Sequence, residues 1–267
     1  MIDLHSHIIP GVDDGSRSME ESLRMLEMAW QDGVKAIAAT PHILGQASKI
    51  KYIRHLPGLF AELRKKAAER HIEIEILPGA EVFFTSDLKE KLEGFRELIT
   101  LNRNNYFLLE FPPDTVFPGT KAYIFNLESE GFIPIICHPE RNLVFQQNLD
   151  LLYDLLQAGA LVQVDVGSLR GDFGHDAHAA AMALLKYNLV HVIASDCHDI
   201  WVRIPGLSIV YNKLRGMEKE KIDMLVEKIP LAIVTNNPLP DIGPLMDPRR
   251  KSWFPGLFKR RTACAVQ

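Results

Sequence analysis

Short apolar segments alternate with amphipathic helical segments along nearly all of the 267-residue chain. Seven such strand-then-helix pairs can be counted, and no internal repeat or low-complexity linker separates them. The strand segments, such as residues 106–111 and 133–137, are rich in aliphatic and aromatic residues. Uninterrupted alternation of this kind predicts a parallel sheet wrapped by helices. A closed barrel and an open, doubly wound sheet both satisfy the pattern.

The size and composition of the chain favour one soluble α/β domain over residues 1–240, followed by a tail over residues 241–267. A formal net charge of -4 argues against non-specific nucleic-acid binding. The three cysteines are too few for a disulfide framework. Because no secretory leader follows Met1 and no apolar run is long enough to be a transmembrane segment, we expect a cytoplasmic protein.

Acidic and imidazole side chains follow nearly every predicted strand. They are His5, His7, Asp13, Asp14, His42, Glu81, Glu110, His138, Glu140, Asp165, Asp196 and His198, with Gln163 and Arg141 among them. In a closed parallel barrel these strand ends converge on one face, whereas an open sheet would spread most of them apart. Their number therefore favours a barrel with one site at its mouth.

Two short motifs make metal binding the leading interpretation. In His5-Ser6-His7 the imidazoles are two residues apart on a strand and point the same way, and Asp196-Cys197-His198 repeats the spacing. Mixed nitrogen and oxygen ligands suit Mn, Zn or Fe, and carboxylates can bridge two ions. A single histidine at a strand end is more often structural. However, five of the ten histidines lie at strand ends in phase with the acids, which indicates a site for two or three ions.

At these residues the chain resembles the PHP (polymerase and histidinol phosphatase) superfamily. The closer resemblance is to bacterial manganese-dependent protein-tyrosine phosphatases encoded with capsule and exopolysaccharide genes. The shared motifs are the opening Met-Ile-Asp-Leu-His-Ser-His, Val12-Asp13-Asp14-Gly15, Thr40-Pro41-His42, Gly79-Ala80-Glu81-Val82 and Ile193-Ala194-Ser195-Asp196, followed by His198. They occur in family order from residue 1 to about residue 240. The resemblance implies a single-domain, distorted (β/α)7 barrel, the PHP fold, with a trinuclear Mn²⁺ site in which Fe or Zn is an alternative.

The resemblance also implies a role for each site residue. The first metal would be held by His5, His7, Glu81 and Asp196, the second by Glu81, Glu110 and His138, and the third by Asp14, His42 and His198. Glu110 favours the phosphatase subgroup, since many relatives carry cysteine there. Arg141 and Arg203 would bind the phosphate during attack by a metal-bound hydroxide, with Asp199 as one candidate general acid. The implied partner is the phosphorylated tail of a tyrosine autokinase that controls capsular or exopolysaccharide synthesis.

Three other functions remain open at this point. Cys197 and Arg203 fit the Cys-x5-Arg spacing of thiol-dependent phosphatases, but the intervening loop lacks the glycine expected of a phosphate cradle. A small-substrate phosphoesterase acting on histidinol phosphate has the same ligands. A non-enzymatic metal-binding scaffold would leave Arg141 and Arg203 without a purpose.

The tail is rich in proline and then in basic and aromatic residues. The residues concerned are Arg249, Arg250, Lys251, Trp253, Phe254, Phe258, Lys259, Arg260 and Arg261. A surface-packed or loosely ordered tail is one interpretation. Docking to an acidic membrane surface, or to the substrate kinase, is the other.

Overall fold

Parallel strands and helices alternate along the computed structural model, which describes residues 1–43 and 52–250. The strands are β1 (Ile2–Asp3), β2 (Ala36–Ala39), β3 (His42–Ile43), β4 (Glu75–Pro78), β5 (Glu81–Phe83), β6 (Tyr106–Glu110), β7 (Ile133–Cys137), β8 (Leu161–Asp165) and β9 (Val192–Ala194). The helices are α1 (Met19–Gln31), α2 (Leu56–Glu69), α3 (Leu88–Ile99), α4 (Thr120–Ser129), α5 (Leu143–Gln147), α6 (Leu149–Leu156), α7 (Val166–Arg170), α8 (His175–Lys186), α9 (Ile209–Lys213), α10 (Lys219–Asp223) and α11 (Ile229–Thr235). Short 3-10 turns precede α2 and α5, and a π-helical turn (Met224–Lys228) joins α10 to α11.

Two parallel sheets share two of their strand runs and together form a closed barrel. One sheet has the order β1-β2-β4, and the other β3-β5-β6-β7-β8-β9. β3 continues the run of β2 beyond Pro41, and β5 continues the run of β4 beyond Gly79, so both runs belong to both sheets. A parallel bridge between Ser6 and Cys197 joins the first run to the last. Seven strand runs therefore form a distorted barrel in one α/β domain, which confirms the predicted fold.

The strands occupy the interior because both of their faces are covered. β2, β8 and β9 are buried along their whole length, as expected for parallel strands that lie beneath helices. Three of the described helices, α1, α5 and α6, begin at a polar side-chain cap. In α1, the hydroxyl oxygen of Ser18 accepts a hydrogen bond from the backbone N–H of Glu21, and Gly33 follows the helix with φ of 94°. Ser18-Met19-Glu20-Glu21 has the spacing of a capping box, and Gly33 is a typical helix end, so the sequence alone predicts both limits.

The third and last helices differ from the sequence pattern. The sequence predicts only a short helix near residues 87–92, whereas α3 runs to Ile99 with a non-helical Phe95 (φ -135°). Gly94 interrupts the helical pattern, yet the helix continues because Leu92 and Ile99 both bury their side chains in the core. α11 was not predicted, because proline usually breaks a helix interior; Pro230 instead lies in the first turn of α11, where proline is tolerated.

The start of the predicted tail packs on the barrel. The side-chain amide of Asn188 donates to the carbonyl oxygens of Ile242 (2.9 Å) and Pro244 (3.2 Å), and Arg249 lies 3.3 Å from Asp154. The basic and aromatic residues after position 250 lie outside the described residues, so membrane docking by the tail stays a prediction.

Within residues 1–43 and 52–250, no helix combines the length and apolar character needed to cross a bilayer.

Candidate metal centre

All nine predicted ligands meet at one end of the barrel, where His42 and Glu81 begin β3 and β5 and the others end or follow a strand. They form four overlapping groups in which one ligand atom per residue lies within 4.8 Å of the others. The groups are His7, Asp14, His42 and His198; His5, His7 and Glu81; His5, His138 and Asp196; and His42, Glu81 and Glu110. Residues more than 190 positions apart in the sequence therefore face one another. The division of these groups among three ions stays a prediction.

Glu81 lies at the centre of this cluster, at the start of β5. Its Oε1 is 2.9 Å from Nε2 of His138, and its Oε2 is 2.9 Å from Nδ1 of His42. The same Oε2 is 3.2 Å from Nε2 of His5 and 3.3 Å from Nε2 of His7. Although full burial opposes ionisation, the histidines, with His5 foremost, hold the pKa of Glu81 well below its usual value. One carboxylate in contact with four imidazoles is suited to bridge cations.

The outward-facing nitrogens of His5 and His7 fix which atoms point into the cluster. The amide nitrogen of Gln163 donates to Oδ1 of Asp165 (2.7 Å), so its oxygen is the atom 2.9 Å from Nδ1 of His5. Nδ1 of His7 lies 2.9 Å from Oδ2 of Asp13. Each Nδ1 therefore donates a proton outward, and the two Nε2 atoms, 3.2 Å apart, face the cluster.

Asp196 and His198 complete the cluster from the last strand run. Oδ1 of Asp196 is 3.3 Å from Nε2 of both His5 and His7, and its backbone φ of 50° is unusual for a residue other than glycine. Nδ1 of His198 donates to the carbonyl oxygen of Asp196 (3.0 Å), which leaves Nε2 facing Asp14 at 3.5 Å. Burial, followed by the charge of His7, lowers the pKa of His198 to about 3, so its ring stays neutral and available as a ligand.

The donor set fits divalent cations. Three buried ligand atoms, Oε2 of Glu81, Oδ1 of Asp196 and Nε2 of His198, receive no well-aligned hydrogen bond from the described residues. Buried polar atoms of this kind are costly unless a charge compensates them. Imidazole nitrogens mixed with carboxylate oxygens are the ligands of Mn, Fe and Zn. Since these histidines bind a metal only when deprotonated, protons and cations compete for the same atoms.

Two arginines border the cluster and share one carboxylate oxygen. Nη1 of Arg141 donates to Oδ2 of Asp196 (2.8 Å) and to Oδ2 of Asp165 (3.0 Å), and Nη2 of Arg203 donates to the same oxygen of Asp196. Both guanidinium groups lie over the ring of Phe173, at 4.3 Å for Arg141 and 5.8 Å for Arg203. Their side chains are 30% and 24% exposed, so a bound anion can reach them.

Comparison with known proteins identifies the family. The family model for capsular polysaccharide synthesis proteins CpsB/CapC matches residues 1–235. The chain belongs to the CpsB/CapC family. It is 36% identical over 207 residues to the tyrosine-protein phosphatase YwqE of Bacillus subtilis, which covers 76% of this chain and 79% of YwqE. It is 32% identical over 232 residues to the tyrosine-protein phosphatase CpsB of Streptococcus pneumoniae, which covers 83% of this chain and 93% of CpsB.

A solved structure supports the same assignment. It comes from crystal structures of YwqE from Bacillus subtilis and CpsB from Streptococcus pneumoniae, described as unique metal-dependent tyrosine phosphatases. The superposition has a TM-score of 0.82 at 31% identity and covers 90% of this chain and 96% of the other. The recognition of this family from the motifs is therefore confirmed.

The geometry of this CpsB/CapC member disfavours two of the chemical roles considered from sequence. Cys197 is fully buried, and burial together with the charge of Asp3 raises the pKa of its thiol, so it makes a poor nucleophile. The carboxylate of Asp199 accepts hydrogen bonds from the backbone N–H groups of residues 201–203. Although burial opposes it, these bonds lower the pKa of Asp199, which disfavours it as a proton donor.

Several residues around the ligands received no role from sequence. Gln163 and Asp165 alternate along β8 and face the same side, so their spacing was a usable signal. Asp13 directly precedes the predicted ligand Asp14, but it pairs with Nδ1 of His7, which the spacing does not indicate. Phe173, which lies under both arginines, follows α7 in a loop where no spacing points to it.

Proposed function

We propose that this chain is a metal-dependent protein-tyrosine phosphatase that holds two or three Mn²⁺ ions in the nine-residue cluster, with Fe or Zn as alternatives. The observation that carries the proposal is the convergence of nine metal-ligating side chains beside two partly exposed guanidinium groups. The names of the relatives YwqE and CpsB support the reaction. A phosphate monoester needs both elements, cations for its oxygens and planar donors for its charge.

The chain contributes to hydrolysis by positioning and charge. When bound, the cations supply Lewis acidity and lower the pKa of water towards neutrality. Gln163 and Asp13 hold His5 and His7 with the metal-facing nitrogen free of a proton. Arg141 and Arg203 present donors that match two phosphoryl oxygens and offset the charge of the transition state. The leaving group is a phenolate whose conjugate acid has a pKa of about 10, so it needs little protonation and no general acid is assigned.

The proposed substrate is a phosphotyrosine in the flexible tail of a tyrosine autokinase that controls capsular or exopolysaccharide synthesis, in the cytoplasm. The family model for capsular polysaccharide synthesis supports the pathway. The site supports the kind of substrate, because the cluster lies at strand ends, where an unfolded segment can enter more easily than a folded loop. Dephosphorylation of such a tail requires little recognition beyond the phosphate group and the tyrosine ring.

A comparison of substrates tests the proposal. The Mn²⁺-loaded enzyme is incubated with the phosphorylated autokinase from the same genome, with a phosphoserine peptide and with histidinol phosphate. We expect rapid loss of phosphotyrosine and slow turnover of the other two, since an alkoxide leaves less readily than a phenolate. Rapid turnover of histidinol phosphate with an intact phosphorylated kinase would instead assign the chain to small-molecule hydrolysis.

A further inference from the structure

A cavity of about 270 Å³ opens beside the metal centre, between the ends of β6 and β7. Glu110, His138 and Arg141 are among its lining residues, so two proposed metal ligands and one proposed phosphate ligand face into it. Its volume is near the low end for small-molecule sites, which suits one ring better than an extended ligand.

Apolar and aromatic side chains form further walls of this cavity. Phe111, Phe145, Pro113 and Pro139 line them. Phe111 and Phe145 meet edge to face, with ring centroids 5.7 Å apart at 89°, and Phe84 stacks on Phe111 at 5.1 Å. The cavity therefore combines charged walls with apolar, aromatic ones. An aryl phosphate has the same combination, with a dianion at one end and a ring at the other.

Hydrogen bonds hold the two loops that form the cavity at a fixed separation. The side-chain amide of Asn142 donates to the carbonyl oxygen of Pro112 (2.6 Å). The backbone N–H of Leu143 donates to the carbonyl oxygen of Pro113 (2.8 Å). The oxygen of Asn142 also caps α5 by accepting from Val144 (2.9 Å). Because both loops are tied together, the cavity is preformed and a ring can enter without paying for loop ordering.

We propose that this cavity is the binding site for the aromatic ring of the substrate, an inference that rests on the proposed phosphatase function. The ring lies between Phe111, Pro113 and Pro139 while the phosphate reaches Arg141 and the metal centre. A second cavity of about 340 Å³, lined by Leu143 and Phe173, flanks the other side of Arg141 but contains none of the nine ligands. Phosphoserine has no ring to place in the first cavity, so the site selects aryl phosphates independently of how readily the leaving group departs.

The test uses non-hydrolysable ligands, which separate ring binding from leaving-group chemistry. Calorimetric titration of the Mn²⁺-loaded protein compares phenylphosphonate with methylphosphonate. Burial of about half of a ring predicts that phenylphosphonate binds about tenfold more tightly. Pro113→Trp, which fills the cavity from its exposed rim, is expected to bring this ratio to about one with the metal content retained.

Two matched variants locate the effect. Pro118→Trp places the same bulky side chain elsewhere on the exposed part of the loop, and Leu143→Trp fills the cavity on the other side of Arg141. Both are expected to keep the wild-type ratio. If Pro113→Trp fails to fold, Pro113→Ala, which removes part of the wall, is expected to lower the ratio about threefold.

The outcomes are distinct. The proposed ring site would be wrong if wild-type protein bound phenylphosphonate and methylphosphonate equally well. It would also be wrong if Leu143→Trp, but not Pro113→Trp, abolished the preference for phenylphosphonate. Failure of the Mn²⁺-loaded wild type to hydrolyse phosphotyrosine or phenyl phosphate would overturn the phosphatase function, while the ratio still tests the cavity.

Discussion

Replacement of Gln163 by leucine tests whether a residue that touches no metal sets the affinity of the centre. Gln163 is fully buried and makes two hydrogen bonds, from Nδ1 of His5 to its oxygen (2.9 Å) and from its nitrogen to Asp165 (2.7 Å). Leucine has a similar volume, so the substitution removes both bonds with little change in packing. His5 then loses the partner that keeps its metal-facing nitrogen free of a proton.

The magnitude follows from these two contacts. Loss of a hydrogen-bonded partner of a ligand histidine typically weakens metal binding or activity by about 10- to 100-fold. Two buried polar groups left unpaired also cost about 1–3 kcal/mol each, so we expect a loss of about 2–6 kcal/mol in the free energy of unfolding. Calorimetric Mn²⁺ titration of chelator-treated protein measures the first quantity, and urea unfolding measures the second.

Two control variants make the result interpretable. Gln163→Glu keeps an oxygen acceptor against His5 and is expected to restore most of the Mn²⁺ affinity. Gln157→Leu makes the same chemical change at an exposed position and is expected to alter neither quantity. A folded Gln163→Leu protein with wild-type Mn²⁺ affinity and turnover would refute the positioning role.

Three further predictions concern other parts of the site and the barrel. A β-carbon at Gly15 would overlap the backbone oxygen of His7, so Gly15→Ala is expected to cost about 1–3 kcal/mol in urea unfolding and to weaken Mn²⁺ binding; unchanged values would contradict this contact. Alanine at Arg141 or Arg203 should lower phosphotyrosine turnover by about 10²- to 10³-fold with the metal content unchanged, and wild-type turnover would show that the phosphate is held elsewhere. Burial lowers the pKa of His191 from 6.5 to about 4, so the unfolded chain takes up a proton at a higher pH than the folded one. We therefore expect the free energy of unfolding to fall by up to about 3 kcal/mol as the pH drops from 6.5 to 4. A His191→Asn variant with the same pH profile of stability would exclude this cause.

The architecture was readable from sequence because strand position and chemistry coincide. Each strand run ends in an acid or an imidazole, and only closure of the sheet brings so many such ends together. His5 and Asp196 illustrate this, since they meet across the seam that Ser6 and Cys197 close. What the sequence did not indicate is that two runs are interrupted, at Pro41 and Gly79, and so pass from one sheet to the other. Such breaks depend on hydrogen bonds to neighbouring strands rather than on local composition.

The nine candidate ligands could be identified from sequence, but their mutual distances could not. The resemblance assigns His7 to the first metal only, whereas in the structure His7 also lies within ligand distance of Asp14, His42 and His198. Strand twist and loop length set such distances, and neither follows from residue spacing. Phe173 was missed for a similar reason, because its position under the arginines depends on how α7 returns over the barrel mouth.

One measurement tests the role of the nine-residue cluster most directly. Phosphotyrosine hydrolysis is followed in a single sample before and after its metal is removed, and the metal content is measured each time. We expect about two to three equivalents of divalent cation in the active sample, background turnover after chelation, and recovery with Mn²⁺. Full turnover by the metal-free protein, together with an inactive Cys197→Ser variant, would contradict the account.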